Sequence, residues 1–416
     1  MSSSVKKSVA KLLTGDVGAA LIGLATFALI AGYLGPKVFG VLILLETYVL
    51  IFTNFLKPQT WQLLVTYSKS KTYDGKFSQL VTLGVIFDIV FVILSFFSAL
   101  LLMGYYFDVM SIPTEYFVIG LIVLSQLLFN FDGVAIGLLR ITEEHGLSAI
   151  RSIVIAIIKL ILIAAVVFLD LGLIGLAYSI VIAKVLGIVY LNFFAWRTLI
   201  TKYSFEIKLF SLKETKILSK FIFFTGATAG LKTSFREVDI LIVGKLLSLP
   251  DVAALQIVKK IINVPLRLSN PLGNVIYVKF SKIFSDGYTS KYNALKRKSY
   301  LAIIGYVSLC VLSIYLIPEG ILISIFGPEF EGLMPVLEMY SLSMFFTLMC
   351  IPPSYSLLAK GYSKQNFQIH LITSILYFPL MGFFVSAYGL FGVALAVVSF
   401  GFMRFIALFI MDEKND

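Results

Sequence analysis

Polar residues recur at regular intervals through the otherwise apolar stretch 256–277. They follow one another at steps of three or four residues, the period of one face of an α-helix. These residues are Gln256, Lys260, Asn263, Arg267, Asn270 and Asn274. At ~1.5 Å per residue the stretch is long enough to cross a bilayer. We predict a transmembrane helix with one wet, cationic face; an amphipathic helix lying in the membrane interface is the alternative.

Long apolar runs separated by short polar loops make up the remainder of the chain, in which 59% of the 416 residues are hydrophobic and only 14% are charged. Soluble domains are about a quarter charged, so the composition indicates an all-α polytopic membrane protein. The first apolar run is too long for a signal peptide and lacks a clean cleavage site, which predicts an uncleaved first span. About twelve transmembrane helices are predicted, near 12–34, 38–57, 78–103, 114–139, 148–169, 172–195, 217–242, 252–279, 299–323, 333–358, 366–386 and 389–410.

Basic residues are distributed very unequally between the two sets of predicted loops. The loops on the side of the N-terminus contain 24 Lys and Arg residues, whereas the opposite loops contain only Lys37 and Lys245. Because cytoplasmic loops carry the excess of Lys and Arg, both termini are expected in the cytoplasm of a multi-pass protein of the plasma (inner) membrane. The net charge of +11 therefore reflects topology rather than nucleic-acid binding.

The longest basic loop divides the predicted spans into six and six. We predict an N-terminal six-helix lobe over 1–195, a cytoplasmic amphipathic linker over 196–216, and a C-terminal six-helix lobe over 217–416. The linker has the pattern of a helix lying on the cytoplasmic surface. Two parallel repeats of six helices are a common transporter layout, in which the substrate site lies between the halves.

The seventh predicted span carries a second polar face, with Lys232, Arg236 and Asp239 at helical spacing. Four cations facing lipid would cost roughly 10 kcal/mol, so those of spans seven and eight are expected to line a cavity for an anionic substrate such as a pyrophosphate. The predicted substrate-binding residues are Lys159, Lys232, Arg236, Lys260, Asn263, Arg267 and Asn270. The alternative is ion pairing, and the candidate coupling or ion-pair acids are Asp16, Glu46, Asp88, Asp132 and Asp239.

No enzymatic motif is visible in the sequence. It contains no phosphate-binding GxxxxGK[ST] loop, no Ser/His/Asp or Cys/His set and no metal-binding spacing, so we predict no catalytic residues, no cofactor and no metal. The two cysteines, Cys310 and Cys350, lie in apolar spans and are expected to be packing residues. Energy for transport would then come from an ion gradient, the membrane potential or the substrate gradient.

The first two spans and the region around span eight resemble a known family. Thr14-Gly15-Asp16 lies in the first turns of the first span, Gly35-Pro36-Lys37-Val38-Phe39-Gly40 follows it, and Val238 to Ile261 reads VDILIVGKLLSLPDVAALQIVKKI. These elements resemble those of the polysaccharide-biosynthesis flippases, the Wzx-type O-antigen translocases, within the multidrug/oligosaccharidyl-lipid/polysaccharide exporter superfamily. Asp16 in place of the commoner Asn, and Ala253-Ala254-Leu255 in place of Gly-x-Tyr, depart from the family pattern.

The resemblance implies two six-helix bundles around a central cavity. It implies a monomeric flippase that moves a polyprenyl-diphosphate-linked oligosaccharide, the repeat unit of a polysaccharide, from the cytoplasmic to the outer leaflet by alternating access. The implied partners are that lipid-linked oligosaccharide, the lipid bilayer, a polysaccharide polymerase and glycosyltransferases. The main alternative is an H⁺- or Na⁺-coupled multidrug or toxin extruder of the same superfamily. A non-transporting scaffold is a further alternative, and lipid II flippases are chemically close relatives.

Overall fold

The computed structural model describes residues 3–68, 73–142, 144–203, 205–234, 237–285 and 289–414, and within these ranges it contains helices and no β-strand. The α-helices are α1 (Ser3–Phe55), α2 (Thr60–Tyr67), α3 (Phe77–Met110), α4 (Phe117–Leu124), α5 (Gly133–Ile141), α6 (His145–Phe168), α7 (Gly172–Lys202), α8 (Leu212–Ser234), α9 (Val238–Leu246), α10 (Leu249–Ser285), α11 (Thr289–Tyr315), α12 (Glu319–Phe326), α13 (Met334–Met349), α14 (Ile351–Ala359) and α15 (Ser363–Glu413). Short 3-10 helices occupy Thr114–Tyr116, Ser125–Phe129 and Pro328–Phe330.

Eight stretches of the described chain are long and apolar enough to cross a membrane. Lys364–Glu413 contains two of the predicted spans, and Val17–Tyr67 contains the span 38–57 and most of the span 12–34. The predicted span near 217–242 includes residues outside the description, and the span near 252–279 includes side chains outside it. The all-helical class with many candidate spans is therefore confirmed, whereas the count of twelve and the arrangement in two six-helix bundles stay predictions.

The two longest helices each contain one residue that interrupts the helical backbone. Gly35 in α1 has φ 68° and ψ 167°, and Gly389 in α15 has φ 56° and ψ −136°. A positive φ is easily adopted only by glycine, so each of these residues provides a sharp turn between two helical segments. The first turn falls between the predicted spans 12–34 and 38–57, and the second falls at the first residue of the predicted span 389–410.

The chain divides into two compact units. Unit 1 comprises Met1–Leu34 and Val38–Leu241, and unit 2 comprises the remainder. The boundary lies within α9, and α8 belongs to unit 1, to whose core it contributes Leu218 and Ile222. The division of the chain at 196–216 stays a prediction.

The core of unit 1 is formed by fully buried leucine, isoleucine, valine and alanine side chains from α2, α3, α5, α7 and α8. Its most buried members are Leu63, Leu64, Leu80, Val81, Leu191, Ala195, Leu199, Leu218 and Ile222. A second contact joins α1 to α3, where the rings of Tyr48 and Tyr106 stack with centroids 4.3 Å apart. The Tyr106 hydroxyl donates to the Leu44 carbonyl at 2.8 Å, which satisfies its polar end inside the core.

Unit 2 is organised around packing of α15 on α13 and α14, and of α10 on α13 and α14. Its apolar contacts include Cys350, Leu357 and Leu408. Helix α10 is continuous over the whole stretch with the repeating polar face, which confirms the predicted helix. Ile257, Val258 and Ile262 on its apolar side are at most 2% exposed, whereas Asn263 and Arg267 are exposed.

Two expectations about individual elements are wrong. The surface helix predicted within 196–216 is absent from the described residues there, because α7 continues to Lys202 and 205–211 are not helical. Aromatic contacts fix both ends of that segment, Phe205 on Trp196 and Phe210 on Tyr73, and a seven-residue helix is marginal by itself. The span predicted near 299–323 is interrupted after Tyr315, because Pro318 precedes the new helix α12.

Candidate functional site

Two breaks in helical structure occur inside apolar stretches of unit 1. The first separates α1 from α2 and contains Lys57 and Pro58; the second lies between the 3-10 helix Ser125–Phe129 and α5, and contains Asp132. Non-helical backbone within a membrane is tolerated where it is buried in protein or lines a cavity. Such breaks are therefore expected places for a polar site.

The two breaks are joined by an ion pair. The Nζ atom of Lys57 lies 2.5 Å from Oδ1 of Asp132, and 24% of the lysine side chain but only 7% of the aspartate side chain is exposed. Asn130, two residues before Asp132, donates from Nδ2 to Oγ1 of Thr53 at 3.0 Å. Thr53 near the end of α1 and Lys57 just after it therefore both contact the second break, Thr53 through a neutral hydrogen bond and Lys57 through an ion pair.

Asp88 of α3 fixes the start of α2 and of α5. Its Oδ1 accepts a hydrogen bond from Thr60 Oγ1 at 2.7 Å, and its Oδ2 accepts one from the backbone N–H of Val134 at 3.0 Å. Gly133 makes this approach possible, because a Cβ atom there would lie 2.0 Å from Thr60 Oγ1. Asp88 is 3% exposed, so both bonds are sheltered from water.

Two further cations complete the group around Asp132. Arg151 of α6 and Lys184 of α7, both half-buried, interact electrostatically with the Asp132 carboxylate. We call Lys57, Asp88, Asp132, Arg151 and Lys184 the unit 1 charge cluster. Its cations outnumber its acids three to two, so the cluster can attract an additional anion and hold it by charge-assisted hydrogen bonds. Asp88 and Asp132 were predicted as ion-pair acids, and the structure brings both into this cluster.

The predicted cationic face of α10 is partly described. Lys260 is half-buried and engaged in a contact, while Asn263 and Arg267 are exposed. Arg236 and the side chains of Lys232 and Asn270 lie outside the described residues. Their convergence on one cavity therefore stays a prediction.

The remaining predicted residues occupy separate places. Lys159 on α6 and Glu46 on α1 are half-buried. Asp239 is 4% exposed at the beginning of α9, where its carboxylate accepts a hydrogen bond from the N–H of Ile240 at 2.8 Å. The side chain of Asp16 lies outside the description. No role in ion coupling follows from these positions alone.

Unit 2 contains a second group of buried charges, where the end of α15 meets α11 and the residue that follows α14. Lys296 lies 2.8 Å from Asp412 and 2.6 Å from Glu413, and Lys360 lies 2.8 Å from Asp412. The Ser356 hydroxyl also donates to Asp412. We call Lys296, Lys360, Asp412 and Glu413 the unit 2 charge cluster, in which two cations meet two acids.

The spacing of polar residues along single helices does not predict that the cations of the unit 1 charge cluster lie close together. Lys57 and Arg151 were assigned to cytoplasmic loops, and Lys184 to an isolated position within a span. A local signal was nonetheless present, because Asn130-Phe131-Asp132-Gly133 and Lys57-Pro58 are combinations that interrupt helices. The contact between the two breaks cannot be inferred from either segment alone.

Comparison with known proteins gives one family and one fold. The family model described as polysaccharide biosynthesis protein matches residues 5–284. Among solved structures, an inward-facing multidrug resistance MATE family transporter of the MOP superfamily matches with a TM-score of 0.78 and 13% identity, over 95% of this chain and 94% of that one. No match was found among curated protein sequences.

Two further solved structures have the same fold. The lipid II flippase MurJ, in an inward closed conformation, matches with a TM-score of 0.71 and 20% identity, over 96% of this chain and 87% of that one. A MOP superfamily transporter from Pyrococcus furiosus matches with a TM-score of 0.67 and 13% identity, over 99% of this chain and 95% of that one. It is described as having a binding pocket of reverse polarity that suggests a different function.

Proposed function

This chain belongs to the polysaccharide biosynthesis protein family, and on that premise we propose that it is a flippase for a polyprenyl-diphosphate-linked oligosaccharide. Its many apolar helices and its fold are those of a multi-pass membrane transporter of the MOP superfamily. The substrate would cross from the cytoplasmic to the outer leaflet by alternating access. Transport, rather than an enzymatic reaction, is the proposed activity.

The observation that supports this substrate class is the excess of cations in the unit 1 charge cluster. Lys57, Arg151 and Lys184 surround one carboxylate, Asp132, beside two breaks in helical structure. A diphosphate carries oxygens that accept from ammonium and guanidinium groups, and an excess of partly buried positive charge favours its entry. We propose that this cluster contributes to binding the diphosphate, together with Lys159 and with Lys232, Arg236, Lys260, Asn263, Arg267 and Asn270 of the C-terminal half.

The same proposal includes the topology of the protein and its partners. The basic loops support a plasma-membrane location with both termini in the cytoplasm. A monomer would act with the polysaccharide polymerase and the glycosyltransferases that make and use the repeat unit.

The test uses the full chain in liposomes that contain a labelled polyprenyl-diphosphate oligosaccharide. The accessibility of the glycan to an external glycosidase reports flipping. We expect protein-dependent flipping that is strongly reduced in Lys184→Gln and in Arg267→Ala. Lys298→Gln, which removes an exposed lysine of α11, is the matched control and should flip normally. Flipping that is equally fast in all variants would contradict the proposed site.

The second candidate is an ion-coupled multidrug extruder. The buried acids Asp88 and Asp132 favour it, because acids in a transporter core can bind protons or Na⁺. The same liposomes, loaded with a cationic dye and given a proton or Na⁺ gradient, distinguish the two functions. Efflux of the dye without flipping of the glycan would replace the first proposal with the second.

A further inference from the structure

The connection from α7 to α8 exposes large apolar side chains beside lysines. Leu212 is 91% exposed, Ile207 81% and Leu209 70%. The first turns of α8 then carry a row of lysines, followed by two exposed phenylalanines. The surface formed by Ile207, Leu209, Leu212, Lys213, Lys216, Ser219, Lys220, Phe223 and Phe224 is called the linker surface below.

Side chains on the opposite side fix this surface to unit 1. Glu214 accepts a hydrogen bond from Lys76 at 2.5 Å, and it also accepts one from the Ser211 hydroxyl at 2.8 Å. Ser211 and Glu214 form a capping box, which fixes the first turn of α8. Phe205 and Phe210 pack against the apolar core of unit 1. The outward direction of Ile207, Leu209 and Leu212 is therefore a property of the folded unit.

The lysines of the linker surface have no acidic partner among the described residues. Lys213, Lys216 and Lys220 lie at steps of three and four residues on one face of α8, and all three are exposed. The nearby acids are already engaged, since Glu214 pairs with Lys76 and Glu206 pairs with Lys208 at 2.6 Å. The face consequently has uncompensated positive charge.

A shallow, open depression on the same face lies between these lysines and exposed apolar side chains. It has a volume of about 510 Å³ and is lined by Lys216, Ser219, Lys220, Phe223 and Phe224. The lysines and the serine occupy one end, and the two phenylalanines, 60% and 65% exposed, occupy the other. The ammonium groups of Lys216 and Lys220 donate to phosphate oxygens, whereas the exposed rings offer apolar area to an acyl chain. Basic clusters beside membrane-inserted segments attract anionic lipids.

We propose that the linker surface is a binding site for an anionic phospholipid of the bilayer. The phosphate group lies against Lys216 and Lys220, and an acyl chain lies along Phe223 and Phe224. Ile207, Leu209 and Leu212 enter the membrane interface beside it and hold the connection at headgroup depth. This site is separate from the unit 1 charge cluster and does not depend on the identity of the transported substrate.

The experiment measures phospholipid retained by the purified full-length protein with native mass spectrometry. Protein is incubated with phosphatidylglycerol or phosphatidylcholine, and the double variant Lys216→Gln/Lys220→Gln is compared with the unmodified chain. At about 1 kcal/mol per lysine, the affinity for phosphatidylglycerol is expected to fall about 30-fold, whereas the weak binding of phosphatidylcholine should not change. The matched control is Lys298→Gln/Lys364→Gln, which removes two exposed lysines of unit 2.

Three further outcomes decide the proposal. A loss of phosphatidylglycerol binding that is equal in the control double variant would overturn it, because it would reflect total charge. Preferred retention of a polyprenyl diphosphate over phosphatidylglycerol would overturn it too, and would assign the surface to the transported lipid. A loss in Phe223→Ala/Phe224→Ala, with no loss in Phe97→Ala on the exposed face of α3, would support the proposed position of the acyl chain.

Discussion

The two units each contain a group of buried charges, and the two groups differ in balance and in exposure. In the unit 2 charge cluster Asp412 is fully buried, and the side chains of Lys360 and Lys296 are 3% and 7% exposed. In the unit 1 charge cluster Lys57 is 24% exposed, and three cations share the surroundings of Asp132. The first group is balanced and buries Asp412 and both lysines, although the Glu413 side chain is 50% exposed, whereas the second has spare positive charge and is partly accessible at Lys57.

This difference separates a structural role from a binding role. A buried ion pair contributes little net stability, but removing one partner leaves a charge without compensation and is costly. The unit 2 charge cluster fits that structural role, because each of its lysines contacts Asp412. The unit 1 charge cluster has more cations than its acids neutralise, which is the condition for binding a mobile anion.

The largest expected effect is on the unit 2 charge cluster. Asp412→Asn leaves the buried lysines Lys296 and Lys360 without their shared acid, and should lower the free energy of unfolding by about 3–5 kcal/mol. Thermal unfolding of the detergent-solubilised protein measures this loss of stability. Glu331→Gln, at an exposed acid of unit 2, is the control. Equal unfolding temperatures for the two variants would show that the cluster is not structural.

The second-largest effect is expected at Gly133, which packs closely against Thr60 and Asp88 of the unit 1 charge cluster region. Gly133→Ala places a Cβ atom 2.0 Å from Thr60 Oγ1 and 2.9 Å from Asp88 Oδ1, so the start of α5 must shift. We expect a loss of about 1–3 kcal/mol in unfolding free energy. Gly104→Ala in α3 is the matched control, since no atom lies within 4 Å of its added Cβ. A Gly133→Ala protein as stable as the control would contradict the described packing.

The third prediction tests the unit 1 charge cluster itself. Lys184→Gln removes one of three mutually repelling cations, so the unfolding free energy should change by less than about 1 kcal/mol. Flipping of the diphosphate-linked substrate should nevertheless fall roughly tenfold, because one charge-assisted contact is lost. The measurement combines unfolding with the liposome assay. A variant that loses stability and keeps its flipping rate would show that the unit 1 charge cluster has a structural role and does not bind the substrate.

The smallest effect lies at the surface of unit 1. The hydrogen bonds from Lys76 and from Ser211 lower the pKa of the Glu214 carboxyl. The resulting stabilisation is present above the unfolded pKa of about 4.3 and is lost as the pH falls through the lower, folded pKa. Glu214→Gln should therefore have a slightly lower unfolding temperature at pH 7, and the difference should vanish towards pH 3. A difference that is constant with pH would exclude this ion pair as its cause.

The sequence predicted the helices well because the signals for helices are local. The apolar period of 256–277 lies within a single segment, and α10 confirms the helix predicted there. The charged residues were harder to assign, because Lys57, Asp132, Arg151 and Lys184 come from four separated segments. Only the folded arrangement of α1, α5, α6 and α7 brings them together.

The connection between α7 and α8 illustrates the same limit. Its apolar and basic residues predicted a surface helix. The residues 205–211 are not helical, because Phe210 contacts Tyr73, which is distant in sequence, and Phe205 contacts Trp196 of α7. The backbone conformation of this segment therefore depends on tertiary contacts that its local sequence pattern does not reveal.

The single-glycine turns at Gly35 and Gly389 have a consequence for biosynthesis. Each turn joins two apolar segments with almost no intervening loop, so neither segment of a pair can settle in the bilayer long before the other. During translation the two segments should leave the insertion machinery together, as a preformed helical hairpin. A bulky residue at either glycine would then harm production of the protein at the ribosome-bound stage, before any transport could be measured.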